Sequence, residues 1–561
     1  MPELEFDGVS VTYTSGGDRG PVHAVKEVSL TVRAGGSLGI AGESGSGKST
    51  LAMAVLRLLP RSAKVTGRVL LDGRDVLELS WGRLRALRWS EAAIVFQGAM
   101  HSLNPVRRIG TQIAEALELH VKESYATEEA REKRVLDLLA QVDLAPAKAR
   151  AYPHELSGGQ RQRAMIAMAL ACDPDLVVAD EPTTALDVVV QDQVLAVLRE
   201  QVAARGISLV FISHDLSVLA STCERIAVMR DGLVVEEGPS HDVVTRPTHP
   251  YTEQLARAFP TIGDPGSRMR PATRVVEPPT GPVPEGEPTT EPSRAVPGAT
   301  PGRADGAVAP VLEARDLTVR FHSRDGGLTA VDNVSLACHR SEIVALVGQS
   351  GSGKTTLART LLGLHPADAG QVLFEGRPLA HSPKGLRAFR RSVQLVLQDP
   401  SSALNPKHTV YESVAEGLRI HHSTGNERAR VEAALERAEL RPPGQFLQAL
   451  PHELSGGQRQ RVVIAGALAL EPQFLVADEP VASLDASVRG EILALLLRLK
   501  RNLGLGALVI THDLGLAWNI ADRVLVMYRG RLVEAGTVEQ VLLDPQDAYT
   551  KTLLAAVPRI S

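Results

Sequence analysis

The chain alternates short apolar runs with longer stretches in which apolar residues recur every three or four positions. Ser37 to Ala41 and Ile343 to Val347 read as buried strands that run straight into glycine-rich turns, and the segments from Leu51 and from Leu357 carry helical spacing. Leu176 to Ala179, Leu209 to Ile212 and Ala227 to Met229 are further short apolar runs, answered by Phe474 to Ala477, Leu508 to Ile510 and Val524 to Met527. Runs of this length without polar alternation predict parallel strands in an α/β core. The alanine-rich, charged stretches Glu128 to Gln141 and Glu427 to Leu440 predict helices of a separate helical insertion.

The pattern occurs twice because the sequence does. PHELSGGQRQR at Pro153 to Arg163 recurs unchanged at Pro451 to Arg461, SGSGKST at Ser44 to Thr50 is answered by SGSGKTT at Ser350 to Thr356, and VVADEP at Val177 to Pro182 by LVADEP at Leu475 to Pro480. The order is the same in both halves, which marks a duplication. The expected division is a first domain over 1–260, a linker over 261–310 and a second domain over 311–561. The linker holds eleven prolines and seven glycines with almost no apolar periodicity, so it reads as disordered or polyproline-like. A flexible chain of that length spans roughly 40 Å, enough to let the two domains meet face to face.

Composition narrows the classes. At 561 residues the chain exceeds one compact core, and 44% hydrophobic with 22% charged residues predicts a packed fold over most of it. Only 3% are aromatic, which argues against a stacking surface for single-stranded nucleic acid, and a net charge of -4 leaves no basic excess for nucleic acid or an anionic membrane. Cys172, Cys223 and Cys338 are scattered without C-x-x-C spacing, which excludes a zinc or disulfide framework and fits a reducing, cytosolic setting. Met1 to Ser10 lacks the basic and apolar regions of a signal peptide, and no run approaches the roughly 20 apolar residues that span a bilayer. Work at a membrane would therefore need spanning segments supplied by another chain.

The chemistry sits at the repeated motifs. Gly42-x-x-x-x-Gly47-Lys48-Ser49 and Gly348-x-x-x-x-Gly353-Lys354-Thr355 lie between a strand and a helix, as a phosphate-binding loop must. Its glycines, with Gly45 and Gly351, let backbone N–H groups converge on phosphates alongside Ser44, Thr50, Ser350 and Thr356. Lys48 or Lys354 reaches the β and γ phosphates, and the hydroxyl of Ser49 or Thr355 ligates Mg²⁺. One match to this motif arises by chance about once per hundred chains of this composition; two in register do not. Asp180-Glu181 and Asp478-Glu479 each end an apolar strand, where the aspartate holds Mg²⁺ through its water shell and the glutamate polarises the water that attacks the γ phosphate.

LSGGQ at Leu156 to Gln160 and Leu454 to Gln458 resembles the signature of ABC-family ATPases, and with the other motifs the resemblance covers both halves nearly end to end. Ser157, Gly158, Gly159 and Gln160, like Ser455, Gly456, Gly457 and Gln458, open a helix whose N-terminus favours an anion, and each serine equally suits a plain helix cap. The resemblance implies an α/β fold of two P-loop NTPase domains, each with a mainly parallel sheet core, an antiparallel β subdomain and a helical subdomain. It also implies a head-to-tail sandwich in which the signature of one domain closes over ATP on the phosphate loop of the other. Gln97 and Gln398 match the family's Q-loop glutamine, which approaches Mg²⁺; His214 and His512 match the switch histidine; Asp187 and Asp485 match the D-loop. Tyr13 matches the aromatic that stacks on adenine, with Phe321 as its substitute in the second copy, and either ring equally suits the core. Neither copy lacks its glutamate, histidine or signature serine, so both sites are expected to hydrolyse ATP.

Shorter matches address the task. SLNP at Ser102 to Pro105, ALNP at Ala403 to Pro406, HPYT at His249 to Thr252 and DAYT at Asp547 to Thr550 resemble the oligopeptide, dipeptide and nickel importer branch. The resemblance implies the ATPase of a binding-protein-dependent importer, peripheral at the cytoplasmic face of the inner membrane. Its implied partners are two permease subunits, docking near Gln97 to Pro105 and Gln398 to Pro406, and an extracytoplasmic solute-binding protein; no nucleic acid is expected. Many members of the branch carry a cysteine cluster after the ATPase core, but Ala258 to Pro310 contains no cysteine, so no iron-sulfur cluster is expected. The rival reading is a soluble tandem ABC protein acting on the ribosome as a translation factor. It expects a charged helical arm between the domains, and the linker here is Pro/Gly-rich with Glu277, Glu285, Glu287 and Glu291 among few basic residues.

Overall fold

A computed structural model describes residues 3–14, 20–96, 102–183, 186–272, 309–323, 326–482 and 484–558. The buried runs of the sequence become the middle of a six-stranded sheet in each half. In the first, the order is Leu233–Pro239, Arg225–Arg230, Ser37–Ala41, Ser208–Ile212, Leu176–Asp180, Ala92–Val95, parallel except for the Leu233–Pro239 edge. The second repeats it with Arg531–Thr537, Arg523–Tyr528, Ile343–Val347, Gly506–Thr511, Phe474–Asp478 and Val393–Val396. A four-stranded antiparallel sheet stands beside each: Val22–Val32, Leu4–Tyr13, Ala63–Leu71 and Arg74–Asp75, then Gly326–Cys338, Leu312–Ser323, Ala369–Phe374 and Arg377–Pro378.

The strands carry apolar residues at consecutive positions because the core sheet is covered on both faces. Leu176 and Val178 join Leu38, Ile40, Val210 and Ile212 in a cluster with the antiparallel sheet and the phosphate-loop helix. Their neighbours Val177 and Ala179 point the other way and join Leu209, Phe211 and the helical insertion. The insertion is built from Ile109–His120, Glu128–Gln141 and Gly158–Ala169 in the first half, and from Val410–Ile420, Glu427–Arg437 and Gly456–Leu468 in the second. The Glu128–Gln141 helix matches its expected bounds; its counterpart stops at Arg437, three residues early, where Ala438 closes the last turn.

The two halves are packed together. Val189, at the start of helix Val188–Arg205, belongs to the apolar cluster of the second half, and Ala486, at the start of helix Ala486–Leu503, belongs to that of the first. The helix that ends each half, Pro250–Arg257 or Ala548–Ala555, touches the opposing one of these two helices.

The start of the expected linker differs from expectation. Residues 261–272 are seated on the second half: Trp518 Nε1 donates to the carbonyl of Asp264 at 3.1 Å, the backbone N–H of Met269 donates to the carbonyl of Asn519 at 2.8 Å, and Arg268 pairs with Glu539 at 3.1 Å. Ile262 and Met269 bury apolar surface there. These anchors outweigh the local Pro/Gly signal, which reports only what a segment does without a partner. Residues 273–308 lie outside the described residues. Among the described residues no helix is long and apolar enough to cross a membrane.

Candidate functional site

Each phosphate loop is wedged between its sheet and the antiparallel subdomain, and this dictates its glycines. Gly47 and Gly353 take φ of 101° and 106°, and a Cβ on either would lie 2.3 or 2.1 Å from the carbonyl of Ala24 or Ala330. Each is also the N-cap of the helix it begins, Lys48–Val55 or Lys354–Leu361, and supplies no side-chain acceptor. The first-turn N–H groups therefore remain available to an anion.

The lysines are buried and folded back on the loop. Lys48 Nζ donates to the carbonyl of Glu43 at 2.7 Å, and Lys354 Nζ to those of Gly348 and Gln349, each at 2.7 Å. Burial lowers both below the usual lysine range, and the surrounding carboxylates only partly reverse it: Glu181, Asp485, Asp180 and Glu43 around Lys48, and Glu479, Asp187 and Asp478 around Lys354. A polyphosphate is the ligand that suits such a cation, since it replaces the lost hydration with charge.

Beside each lysine stands a hard-oxygen pair. Ser49 Oγ donates to Asp180 at 3.0 Å, and Thr355 bonds Asp478 in the same way. Burial raises both aspartates above the usual carboxylate range, the condition a nearby dication would relieve. Hydroxyl and carboxylate fit Mg²⁺, which keeps most of its shell as water and phosphate oxygen. Accordingly, no group of three or more His, Cys, Asp or Glu side chains converges as a metal cage among the described residues.

The glutamates after these aspartates sit on strained backbone. Glu181 and Glu479 have φ of 43° and 45°, a left-handed conformation that L residues with side chains rarely adopt. Each is pinned through its N–H to the neighbouring strand, on the carbonyl of Ile212 at 3.0 Å or of Ile510 at 2.9 Å. The turn aims the carboxylate at the switch histidine. His512 Nδ1 lies 2.9 Å from Glu479 and Gln398 Nε2 donates to the other oxygen at 2.8 Å, whereas His214 Nδ1 stands 3.5 Å from Glu181. Burial pushes Glu479 up, but the His512 hydrogen bond and charge, with Lys354, outweigh it and hold the carboxyl below the usual range. Gln97 falls outside the described residues.

The halves meet at these loops. The backbone N–H of Ser44 donates to Asp485 across the seam at 2.8 Å, and that of Ser350 donates to Asp187 at 3.2 Å. A cavity of about 1740 Å³ opens beside the second phosphate loop, lined by Gly353, Lys354, Thr355, Glu479 and His512 from one half and by Leu186 and Asp187 from the other. The signature serines cap their helices: Ser157 accepts from the N–H of Gln160 at 3.3 Å and Ser455 from that of Gln458 at 3.2 Å. Both serines are exposed, and among the described residues Ser157 to Gln160 do not line this cavity. The two aspartates thus bond each phosphate loop to the opposite half. Gly159 and Gly457 lie inside their helices, where a Cβ would approach Val190 and Val488 to 2.1 and 2.3 Å, so each signature packs on the helix that follows its own D-loop.

The aromatic candidates flank the loops. Tyr13 Oη is 3.2 Å from Thr50 Oγ1, and Phe321, 40% exposed, lines the cavity beside the second phosphate loop with its ring edge-on to His365. Two aromatics carry loop-supporting roles that sequence reading did not assign. The phenol oxygen of Tyr251 accepts the N–H of Glu43 at 3.0 Å, and that of Tyr549 accepts the N–H of Gln349 at 2.9 Å. Both are the tyrosine of the four-residue motifs HPYT and DAYT; only their recurrence in both halves hinted at a role.

The ABC transporter family model matches residues 25–184 and 331–482, and the model of the oligopeptide/dipeptide transporter C-terminal region matches 235–282 and 533–561. The "Glutathione import ATP-binding protein GsiA" of Salmonella choleraesuis (strain SC-B67) is 41% identical over 99% of this chain and 89% of its own length. The protein of that name from Escherichia coli (strain K12) is 40% identical over the same shares. Among solved structures, cbiO1 from Clostridium perfringens, part of the ABC transporter complex cbiONQ, is 32% identical over 42% of this chain and 92% of its own, with a TM-score of 0.39. The ribosomal reading finds no support among these matches. Paired phosphate loops, strained glutamates and seam aspartates thus occur in a chain that belongs to the ABC transporter ATPases, in the oligopeptide/dipeptide branch, with both ATP-hydrolysing domains in one polypeptide.

Proposed function

We propose that the chain powers a binding-protein-dependent importer of small peptides or peptide-like solutes, glutathione among them. It does so as a peripheral subunit at the cytoplasmic face of the inner membrane. Two permease subunits and an extracytoplasmic solute-binding protein complete the assembly. The relatives' glutathione import and the C-terminal region match support the solute class. The observation that carries the energy-coupling role is the reciprocal pair of seam contacts, Asp485 with Ser44 and Asp187 with Ser350, because each phosphate loop is thereby tied to the other half.

In this reading Lys48 and Lys354, with the loop N–H groups, hold the ATP phosphates. Ser49, Asp180 and Gln97, like Thr355, Asp478 and Gln398, hold Mg²⁺, which when bound offsets charge on the phosphate oxygens. Glu181 and Glu479 orient the attacking water and accept its proton, while His214 and His512 fix the carboxylate's direction and face the γ phosphate. Ser157 to Gln160 and Ser455 to Gln458 close on nucleotide when the halves approach further, and Tyr13 and Phe321 sit against the adenine. Closure moves the permeases and hydrolysis releases them.

The test is ATP-dependent uptake of glutathione and of a dipeptide by vesicles carrying the chain with its permeases and binding protein. Uptake is expected to fall by at least half with Glu181→Gln or Glu479→Gln and to vanish with both. ATP turnover without uptake of either solute, or recovery of the chain with ribosomes and not with membranes, would reject the proposal.

A further inference from the structure

The two ATP sites are built largely from duplicated residues, but two positions at the seam, those of Arg489 and Phe259, are not duplicated. Arg489 lies one turn after the D-loop, its N–H bonded to the carbonyl of Asp485 at 2.8 Å, and Asp485 holds the phosphate loop of the first half through Ser44. Its guanidinium, 15% exposed, donates to Asp513, the residue after the switch His512, and lies 5.4 Å from the ring centre of Phe259 in the first half. Phe259 in turn packs tilted against the switch His214, centroids 6.4 Å apart. The start of this helix therefore bonds the phosphate loop of one site through Asp485, the switch segment of the other through Asp513, and reaches the first switch histidine by way of Phe259.

The opposite side of the seam repeats the two backbone bonds, from Gln191 and from Ser350 to Asp187, but among the described residues not the guanidinium and ring contacts. Gln191 occupies the Arg489 position after Asp187, and Val557 follows the DAYT motif where Phe259 follows HPYT. The charge difference is felt by the aspartates after the two histidines. Burial pushes Asp513 up, yet Arg489, the backbone N–H of Leu516 and His512 outweigh it and hold the group below the usual range. Burial leaves Asp215 above that range, with His214 and, from across the seam, Arg489 as the opposing charges.

We infer that Arg489 is a positioning residue that couples the two ATP sites from one side of the seam, linking the switch segment of the second site to the phosphate loop and switch histidine of the first through Asp485 and Phe259. The physical reason is that a guanidinium shared between Asp513 and the Phe259 ring cannot follow movement of one without shifting the other, while the uncharged Gln191 and the aliphatic Val557 at the matching positions offer no such link. The inference rests on the reading of both sites as ATP sites.

The experiment is the ATP dependence of hydrolysis by the full chain, with Arg489→Gln and Phe259→Leu as variants and Gln191→Ala as the control from the unlinked side. The parent is expected to show a Hill coefficient above 1. Arg489→Gln and Phe259→Leu should each bring it close to 1 while changing kcat by less than about threefold, Arg489→Lys should restore part of it, and Gln191→Ala should leave it as in the parent. Phe259→Leu keeps the Arg489–Asp513 pair, so it decides the matter even where Arg489→Gln folds poorly. Full cooperativity in Phe259→Leu, or an equal loss in Gln191→Ala, overturns the inference. A parent with no ATP turnover fails the ATP-site reading itself, an outcome distinct from turnover with unchanged cooperativity.

Discussion

Asp485 accepts the backbone N–H of Ser44 at 2.8 Å, so the D-loop of the second half is hydrogen-bonded to the phosphate loop of the first. The bond is charge-assisted and its donor is main chain, so truncating the Ser44 side chain keeps it, whereas a change at Asp485 removes it. Asp485→Ala should cost about 1.5–3 kcal/mol of closure free energy. Steady-state ATP turnover should then fall by about tenfold or more. Asp187→Ala is expected to act in the same direction and more weakly, its contact being longer at 3.2 Å. Unchanged turnover in Asp485→Ala would mean the seam does not form during the cycle.

The buried lysines make a prediction about pH. Lys354 is held below its ordinary value by burial, so its charge costs stability wherever folded and unfolded forms are both protonated, that is, below the depressed folded value. The cost fades as pH rises toward 10.5, the ordinary value. Lys354→Met lacks this cost at every pH. Urea unfolding without nucleotide should therefore show the parent gaining on Lys354→Met as pH rises from neutral toward 10, by about 1.4 kcal/mol per unit of depression. A gap that stays constant or moves the other way would show that the ammonium is well solvated in the folded chain.

Tyr549 supports the second phosphate loop through an oxygen that a phenylalanine lacks. Tyr549→Phe leaves the Gln349 N–H without its acceptor, at a cost of about 1–3 kcal/mol. The expected readout is a several-fold rise in KM for ATP with a smaller change in kcat. Burial pushes the phenol up to about 12, so the difference between parent and variant should be the same at pH 7 and pH 9. An unaltered KM would remove Tyr549 from the site's support.

The signature helices depend on a missing methyl group. A Cβ at Gly457 would lie 2.3 Å from Val488 Cγ1, so Gly457→Ala should overpack the contact and destabilise the second half by about 1–3 kcal/mol. Val488→Ala removes the obstructing atom, and the double variant should recover most of the loss in thermal unfolding. Failure of that rescue would place the glycine's role elsewhere, in approach to nucleotide.

Much of this was legible in the chain. The strand Ser37–Ala41, the helix Glu128–Gln141 and both phosphate loops fall where pattern and motif put them, because a buried strand must be apolar at consecutive positions and a phosphate loop must be glycine-rich at fixed spacing. Duplication doubled the signal and turned weak matches such as Asp180-Glu181 into strong ones. Local composition misjudged residues 261–272, since Trp518 and Asn519, which anchor them, lie some 250 positions away.

By itself the sequence determined the two-domain plan, through its duplication, together with the core strands written as apolar runs and the glycine spacing of the phosphate loops, which depend on neighbours within a few positions. The tertiary structure decided which carboxylate faces which loop across the seam, that Tyr251 and Tyr549 brace the phosphate loops, and that Arg489 stands between two switch segments while Gln191 does not. Those relations are set by the packing of whole halves, in which Val189 and Ala486 trade places between apolar clusters, and burial across such a distance leaves no periodic trace in the chain.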